Sequence, residues 1–280
     1  MVVSAEFDVA LAAVMGLLIG SFLNVVIHRL PKMMERQWQQ ECASLSGKEA
    51  PPQDAYNLWV PRSACSHCGH HIRWYENIPV MSYVFLRGKC SACGTRISWR
   101  YPTIELLTGG LFAACVAHWG LTPAALAWCA FGAVLLTLGV IDWDTTLLPD
   151  DLTLPLLWGG LCAAALGLTN TSVTSALWGA VAGYMSLWLV FWAFKLATGK
   201  DGMGYGDFKL FAALGAWFGW QALVPIILMA SVAGAVIGII MKFSSNLREG
   251  GYVPFGPFLA IAGFTAMWAT PARMLEFVGL

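Results

Sequence analysis

The segment Asp-Gly-Met-Gly-Tyr-Gly-Asp-Phe-Lys, residues 201–209, places three glycines and two aspartates in a chain that is otherwise largely apolar. A carboxylate at or near membrane depth is costly, so an aspartate there indicates a function. Glycines let a backbone adopt unusual angles and approach another group closely. A second acidic segment, Ile-Asp-Trp-Asp-Thr-Thr-Leu-Leu-Pro-Asp-Asp at 141–151, lies upstream across two apolar stretches. We expect Asp142 and Asp207 to meet and form a catalytic pair.

The composition is that of a membrane protein. Hydrophobic residues make up 58% of the 280 residues and charged residues 11%, against about 25% charged in an ordinary soluble domain. The formal net charge is zero, which gives no indication of a nucleic-acid partner. The first apolar run, Val9 to Ile27, has basic residues after it rather than before it, so it predicts a retained anchor and not a cleaved signal peptide.

Apolar segments of roughly membrane-spanning length recur along the chain. Besides the first run, they cover approximately 104–119, 124–141, 152–168, 174–195, 208–221, 223–241 and 255–271. A transmembrane helix needs about 20 apolar residues, with ~17–25 as the usual range. The sequence therefore predicts an all-α polytopic membrane protein of about eight transmembrane helices, with seven as the alternative count.

The charge distribution predicts an orientation. Ten of the sixteen Lys and Arg residues lie between Arg29 and Arg100, the one long polar stretch. With an outside N-terminus, fifteen of the sixteen fall at the cytoplasmic side, as the positive-inside rule requires. This predicts a first transmembrane helix at 1–28, a small cytoplasmic insert at 29–102 and a seven-helix membrane domain at 103–280. Asp142 and Asp207 then lie at the same depth, near the inner interface.

The insert contains two C-x-x-C pairs, Cys65-Ser-His-Cys68 and Cys90-Ser-Ala-Cys93, separated by 21 residues. Paired knuckles at this spacing are typical of a structural zinc site with four thiolate ligands. Two disulfides are the alternative, which the reducing cytoplasm disfavours. Four thiolates complete a tetrahedral shell, so no position is left for a catalytic water. The neighbouring histidines are expected to lie at the surface: His67, His70 and His71.

Paired carboxylates hydrolyse a bond when one is ionised and the other protonated around a shared water, and two close acids titrate as a coupled pair that supplies this state. Asp207 precedes a helix, whose positive end favours charge, whereas Asp142 ends one. Asp207 is therefore expected to be the ionised partner. The structural alternative is that Asp207 only caps its helix. Lys209 is either a boundary lysine or a countercharge for the pair.

Several motifs together resemble a known family. They are Gly20–Pro31, the two cysteine knuckles, Tyr75–Pro79, Arg87–Cys90, Arg100–Leu107, Asp142–Asp150 and Gly204–Asp207. Nearly the whole chain resembles the bifunctional type IV prepilin leader peptidases and N-methyltransferases, membrane aspartyl proteases of the G-x-G-D type. The resemblance maps their catalytic aspartates onto Asp142, seven residues before Pro149, and Asp207, supported by Gly204, Gly206 and Lys209.

The resemblance implies an activity in two steps at the cytoplasmic face of the bacterial inner membrane. The basic leader of prepilins or pseudopilins, from type IV pilus or type II secretion systems, is cleaved, and the new N-terminal residue is then methylated with S-adenosylmethionine. The sequence contains no common nucleotide-binding pattern for the methyl donor. Candidate donor-binding residues come from the insert and its boundary: Glu76, Gly88, Lys89, Arg100 and Glu105.

Three other functions remain compatible with the sequence. A transporter or proton relay would use an intramembrane carboxylate pair but gives no role to a zinc insert. A scaffold protein would use the aspartates only as helix caps, and asparagine would then replace them without loss. A peptidase without methyltransferase activity is the third.

Overall fold

The computed structural model describes residues 2–47, 54–200, 202–243, 253–269, 273–274 and 276. Asp201 lies outside these described residues. The chain divides into two compact units, Met1–Cys129 and Ala130–Leu280. This boundary falls inside a helix, so it differs from the boundaries expected at 28/29 and 102/103, which stay a prediction.

Helices dominate both units within the described ranges, where the only strand-like pairings are two isolated bridges. The helices are α1 (Val2–Leu45), α2 (Met81–Phe85), α3 (Arg100–Trp119), α4 (Pro123–Thr145), α5 (Asp150–Ala165), α6 (Val173–Thr198), α7 (Tyr205–Phe218), α8 (Leu223–Phe243) and α9 (Gly256–Trp268). Each of the eight predicted apolar segments coincides with one of these helices. The mainly helical fold is therefore confirmed.

Four helical segments are long and apolar enough to cross a membrane among the residues described: Ala5–Leu45, Pro123–Thr145, Val173–Thr198 and Trp220–Phe243. Gly256–Trp268 is apolar but shorter. A membrane protein is confirmed on this basis, whereas the number of eight spans and their orientation stay predictions.

The first helix is longer than its apolar run. α1 continues through Pro31 to Leu45, so the first part of the segment expected to form the insert, from Arg29 on, is helical. The polar extension is rich in Met, Glu, Arg and Gln, which are good helix formers. Arg29 stabilises the junction by donating hydrogen bonds to the carbonyl oxygens of Asn57 (2.9 Å) and Pro61 (2.7 Å).

Within the first unit, α1 and α3 run side by side in close contact. A Cβ atom on Gly16 would lie 2.7 Å from the carbonyl oxygen of Thr108, and one on Gly20 would lie 2.8 Å from the Cα atom of Glu105. Small residues at such positions let helix backbones approach closely. One turn further, the Asn24 side chain donates a hydrogen bond to the Tyr101 carbonyl oxygen (3.1 Å). The register of the two helices is therefore fixed.

Within the second unit, α7 is the central helix, and ten of its fourteen residues are buried. Gly179 of α6 and Gly215 of α7 bring their backbones together, because a Cβ on either would overlap the carbonyl group of the other. On another side, the Trp217 indole donates a hydrogen bond to the Leu156 carbonyl oxygen of α5 (2.8 Å). These contacts hold the helix that carries Asp207 at its first turn.

Candidate active site and metal site

Asp142 lies in the last turns of α4, and its side chain is buried, with 4% of the residue exposed. Its Oδ2 atom accepts a hydrogen bond from the backbone N–H of Gly256 (2.9 Å), the first residue of α9. A Cβ atom on Gly256 would lie 2.7 Å from that oxygen. Glycine is therefore needed at 256 for the α9 terminus to approach the carboxylate this closely.

Asp207 occupies the first turn of α7, and only 7% of the residue is exposed. Its backbone N–H donates to the Gly204 carbonyl oxygen (3.3 Å). Gly206 packs on the loop between α4 and α5, because a Cβ atom there would lie 2.6 Å from the Cβ of Leu148. The two glycines of the G-x-G-D motif thus lie beside Asp207, and one of them contacts the loop that follows Asp142.

Both predicted aspartates lie near the loop between α4 and α5, because Asp142 precedes that loop and Gly206, next to Asp207, packs on its Leu148. Burial is the main cause that raises the pKa of Asp207, and the negative charge of Asp142 adds to it. Both carboxyl groups are buried, so the repulsion is weakly screened. Asp144, two residues after Asp142, is exposed. Of these two candidates, Asp142 is the buried one, and its pairing with Asp207 stays a prediction.

Lys209 pairs with a residue that the sequence did not indicate. Its Nζ atom lies 2.6 and 2.7 Å from the two carboxylate oxygens of Asp150. Asp150 opens α5, where the positive end of the helix also favours a carboxylate. Lys209 thus connects α7 to α5.

The four predicted cysteine ligands lie in one cluster. The Sγ atoms of Cys65 and Cys93 are 3.9 Å apart, and those of Cys68 and Cys90 are 4.0 Å apart. All four sulfur atoms lie within 4.8 Å of one another. Zinc–sulfur bonds of about 2.3 Å give a tetrahedron with edges of ~3.8 Å. The cluster therefore has the dimensions of a four-thiolate zinc site.

The two knuckles have the same local structure. In each, the first cysteine accepts a hydrogen bond from the glycine four residues later, Gly69 or Gly94, and both glycines have φ of +72°. An isolated antiparallel bridge closes each knuckle, Ala64 with His71 and Lys89 with Arg96. The repeated geometry points all four thiols at a single position.

Glu76 ties the two knuckles together. Its carboxylate accepts a hydrogen bond from the Arg73 backbone N–H (2.8 Å) and lies 3.2 Å from His70 Nε2. Hydrogen bonding from Ser91, which lies in the second knuckle, is the largest cause that lowers the pKa of Glu76 to about 2. The Arg73 N–H and His70 add to it. Glu76 is consequently ionised and engaged inside the insert.

The remaining candidates for the methyl-donor site also make internal contacts. Glu105 is buried and accepts a hydrogen bond from the Val80 N–H (2.7 Å). Gly88 has φ of +64°, and a Cβ there would lie 2.8 Å from the Tyr83 hydroxyl. Lys89 forms a bridge in the second knuckle, and Arg100 begins α3. These contacts give several candidates structural roles, and direct contact with a methyl donor stays a prediction.

Sequence reasoning missed two residues of the site. Gly256 lies 114 positions from Asp142, at the start of an apolar segment. Its role depends on a contact between distant segments, and the sequence carries no signal for that contact. The second residue is Asp150, the partner of Lys209. Its position after Pro149 at a helix start was visible, but its pairing with Lys209 depends on how α5 packs on α7.

The fold and these two sites define a helical membrane protein with a buried aspartate pair in one unit and a four-cysteine cluster in the other. Residues 129–239 match the Type IV leader peptidase family. Residues 14–119 match the Bacterial Peptidase A24 N-terminal domain. The class is therefore that of the type IV leader peptidases.

Curated relatives are similar over nearly the whole chain. The prepilin leader peptidase/N-methyltransferase of Pseudomonas aeruginosa is 54% identical over 95% of this chain and 92% of its own length. Those of Burkholderia pseudomallei and Aeromonas hydrophila are each 52% identical, over 96% and 92% of this chain and 88% and 89% of theirs. No solved structure matches the chain. The chain belongs to the prepilin leader peptidase/N-methyltransferase family.

Proposed function

We propose that the protein is an aspartic endopeptidase and S-adenosylmethionine-dependent N-methyltransferase of the bacterial inner membrane. It cleaves the basic leader of type IV prepilins and type II secretion pseudopilins at the cytoplasmic face and then methylates the new N-terminal residue. The names of the relatives support both activities, and the match covers nearly the whole of this chain and most of each relative. In this orientation the N-terminus is periplasmic and the insert is cytoplasmic.

The observation that supports the peptidase assignment is that Asp142 and Asp207 are both buried near the loop between α4 and α5. Two close carboxyl groups cannot both ionise readily, and they share a proton near the working pH. A prepilin carries a charged leader before an apolar helix, so its scissile bond would lie at the inner interface. Both aspartates are expected at that depth.

The hydrogen bond from Gly256 bears on which aspartate is ionised. An N–H donated to a carboxylate stabilises its charged form, and the start of α9 adds the positive end of a helix dipole. Both effects act on Asp142. This argues against the expectation that Asp207 is the ionised partner, because that expectation considered only the helix to which each residue belongs. We assign the base to Asp142 and the acid to Asp207.

The mechanism follows from that assignment. Asp142 accepts a proton from a water molecule while the oxygen of that water attacks the scissile carbonyl carbon. Protonated Asp207 donates a hydrogen bond, and then its proton, to the carbonyl oxygen. Collapse of the tetrahedral intermediate breaks the C–N bond while the amine nitrogen receives the proton held by Asp142, and Asp207 takes back a proton from a hydroxyl group of the intermediate. The pair then returns to its singly protonated state.

We propose zinc as the ion held by Cys65, Cys68, Cys90 and Cys93, on the sulfur spacing described above. When bound, the ion would cross-link the two knuckles and supply no reaction chemistry, because four thiolates close its coordination shell. We propose that the methyl donor binds to the same insert. Of the candidate residues, Lys89 lies in the second knuckle and Arg100 begins α3.

The test measures cleavage of a prepilin and methylation of a pre-cleaved pilin by the protein in lipid vesicles. Asp142→Asn and Asp207→Asn should each abolish cleavage and retain methylation, because asparagine preserves size and helix capping but cannot exchange the proton. Asp144→Asn is the matched control, since Asp144 is exposed and two residues from Asp142, and it should cleave normally. Cleavage by either of the first two variants would overturn the assignment of that aspartate.

A further inference from the structure

The insert contains a short helix whose exposed face is apolar. α2 comprises Met81–Phe85, and the exposed fractions of Met81, Val84 and Phe85 are 56%, 65% and 78%. A soluble domain seldom leaves such a face uncovered without a partner. The position of α2 along the apolar run of α1 indicates what could cover this face.

The depth of α2 follows from a chain of contacts inside the first unit. The Val80 N–H at the start of α2 donates to the Glu105 carboxylate (2.7 Å). Glu105 in turn lies directly beside Gly20 of α1, where a Cβ would be 2.8 Å from the Glu105 Cα. Gly20 is seven residues before Ile27, where the apolar run of α1 ends. At 1.5 Å per residue, this level is about 10 Å inside the apolar run.

A second contact independently places the insert at that level. The Trp59 ring stacks on Phe22 of α1 with 5.9 Å between ring centroids, and Trp59 is itself largely exposed. Tryptophan is enriched at membrane interfaces because its ring is apolar and its N–H is polar. Two separate parts of the insert therefore reach the apolar section of a membrane-spanning helix.

We propose that α2 is a membrane anchor of the insert, which buries Met81, Val84 and Phe85 among the acyl chains of the inner leaflet. Exposed basic residues follow it directly at Arg87 and Lys89, where they would meet the phosphates of anionic lipids. Apolar side chains followed by basic residues are the combination that places a helix at a membrane interface. A lipid surface explains the depth, the exposure and the charge of this segment together.

The experiment locates Phe85 in vesicles of phosphatidylethanolamine and phosphatidylglycerol without substrate. A fluorescent amino acid that is excited apart from the fourteen tryptophans replaces Phe85 by codon suppression. Its emission should fall at least twofold when the lipids carry brominated acyl chains and change little with aqueous iodide. Leu45 is the matched control, because it is 88% exposed and ends the polar extension of α1. A reporter there should respond to iodide and not to brominated lipid.

Quenching of the Phe85 reporter by iodide, without an effect of brominated lipid, would overturn the proposal. Shielding from iodide that appears only when a prepilin is added would assign the face to substrate and would equally overturn it. A reporter at Val84 repeats the test if the Phe85 variant does not fold, as judged by its bound metal. The readout needs no turnover, so its outcome is independent of whether the protein cleaves prepilins.

Discussion

Gly256 offers a way to disturb the aspartate pair without replacing either acid. In Gly256→Ala the new Cβ would lie 2.7 Å from Asp142 Oδ2 and 3.1 Å from its Cγ, where carbon atoms in contact normally lie ~3.5 Å apart. The carboxyl group must therefore move by roughly 0.8 Å, away from the N–H that donates to it at 2.9 Å. The position of the base and its hydrogen bond change together.

The expected loss can be estimated in two ways. A hydrogen bond to a charged group contributes about 1.5–3 kcal/mol, and each ~1.4 kcal/mol of transition-state stabilisation is tenfold in rate. A displacement of about 1 Å in an active site costs on the order of 100-fold. Both estimates predict that Gly256→Ala slows prepilin cleavage roughly 10- to 100-fold, with methylation of a pre-cleaved pilin unchanged.

The assay is the initial rate of cleavage in vesicles, compared with Gly159→Ala. A Cβ on Gly159 would contact the Trp217 ring at 3.6 Å, an ordinary distance, so this variant should cleave as the wild type does. Retained methylation shows that the Gly256 variant is folded. A folded Gly256→Ala protein that cleaves within twofold of wild type would refute the role given to the Gly256–Asp142 contact.

Three further outcomes are expected. Lys209→Asp should lower cleavage several-fold, because a partly exposed ion pair contributes about 0–1 kcal/mol. Adding Asp150→Lys should restore part of the lost cleavage. A double variant that shows no recovery would mean that the Lys209–Asp150 pair has no positioning role. Cys90→Ser should lose the bound metal, measured by elemental analysis, and make the insert sensitive to protease, whereas full metal content would exclude Cys90 as a ligand. Gly88→Ala combines a φ of +64° with a Cβ only 2.8 Å from the Tyr83 hydroxyl. It should destabilise the insert by about 1–3 kcal/mol, seen as faster metal release to a chelator, and an unchanged rate would contradict that strain.

Hydropathy and spacing predicted the parts of the structure that depend on local sequence. Each apolar segment forms a helix, because its side chains can be buried or face lipid only in that form. The C-x-x-C spacing predicted the cysteine cluster, because each knuckle is a short turn that needs no distant contact. The shared depth of Asp142 and Asp207, which came from counting segments, stays a prediction.

Contacts between distant segments could not be predicted. The extension of α1 to Leu45 is polar, so hydropathy shows no reason for the helix to continue, although its residues favour one. The Gly256 N–H reaches Asp142 only through the packing of α9 near the end of α4. The dipole argument for Asp142 was incomplete for the same reason, since it took account of one helix and the structure supplies a second.

The Gly179–Gly215 contact limits the routes by which a pilin could reach the aspartates. Where two helix backbones touch, no third helix, about 10 Å across, can pass between them. The side of α7 that faces α6 is therefore a closed wall at that level. A prepilin stem sliding sideways through the bilayer must therefore reach α7 at that level from a different flank, and crosslinkers placed on the face of α6 that packs on α7 there should capture none of it.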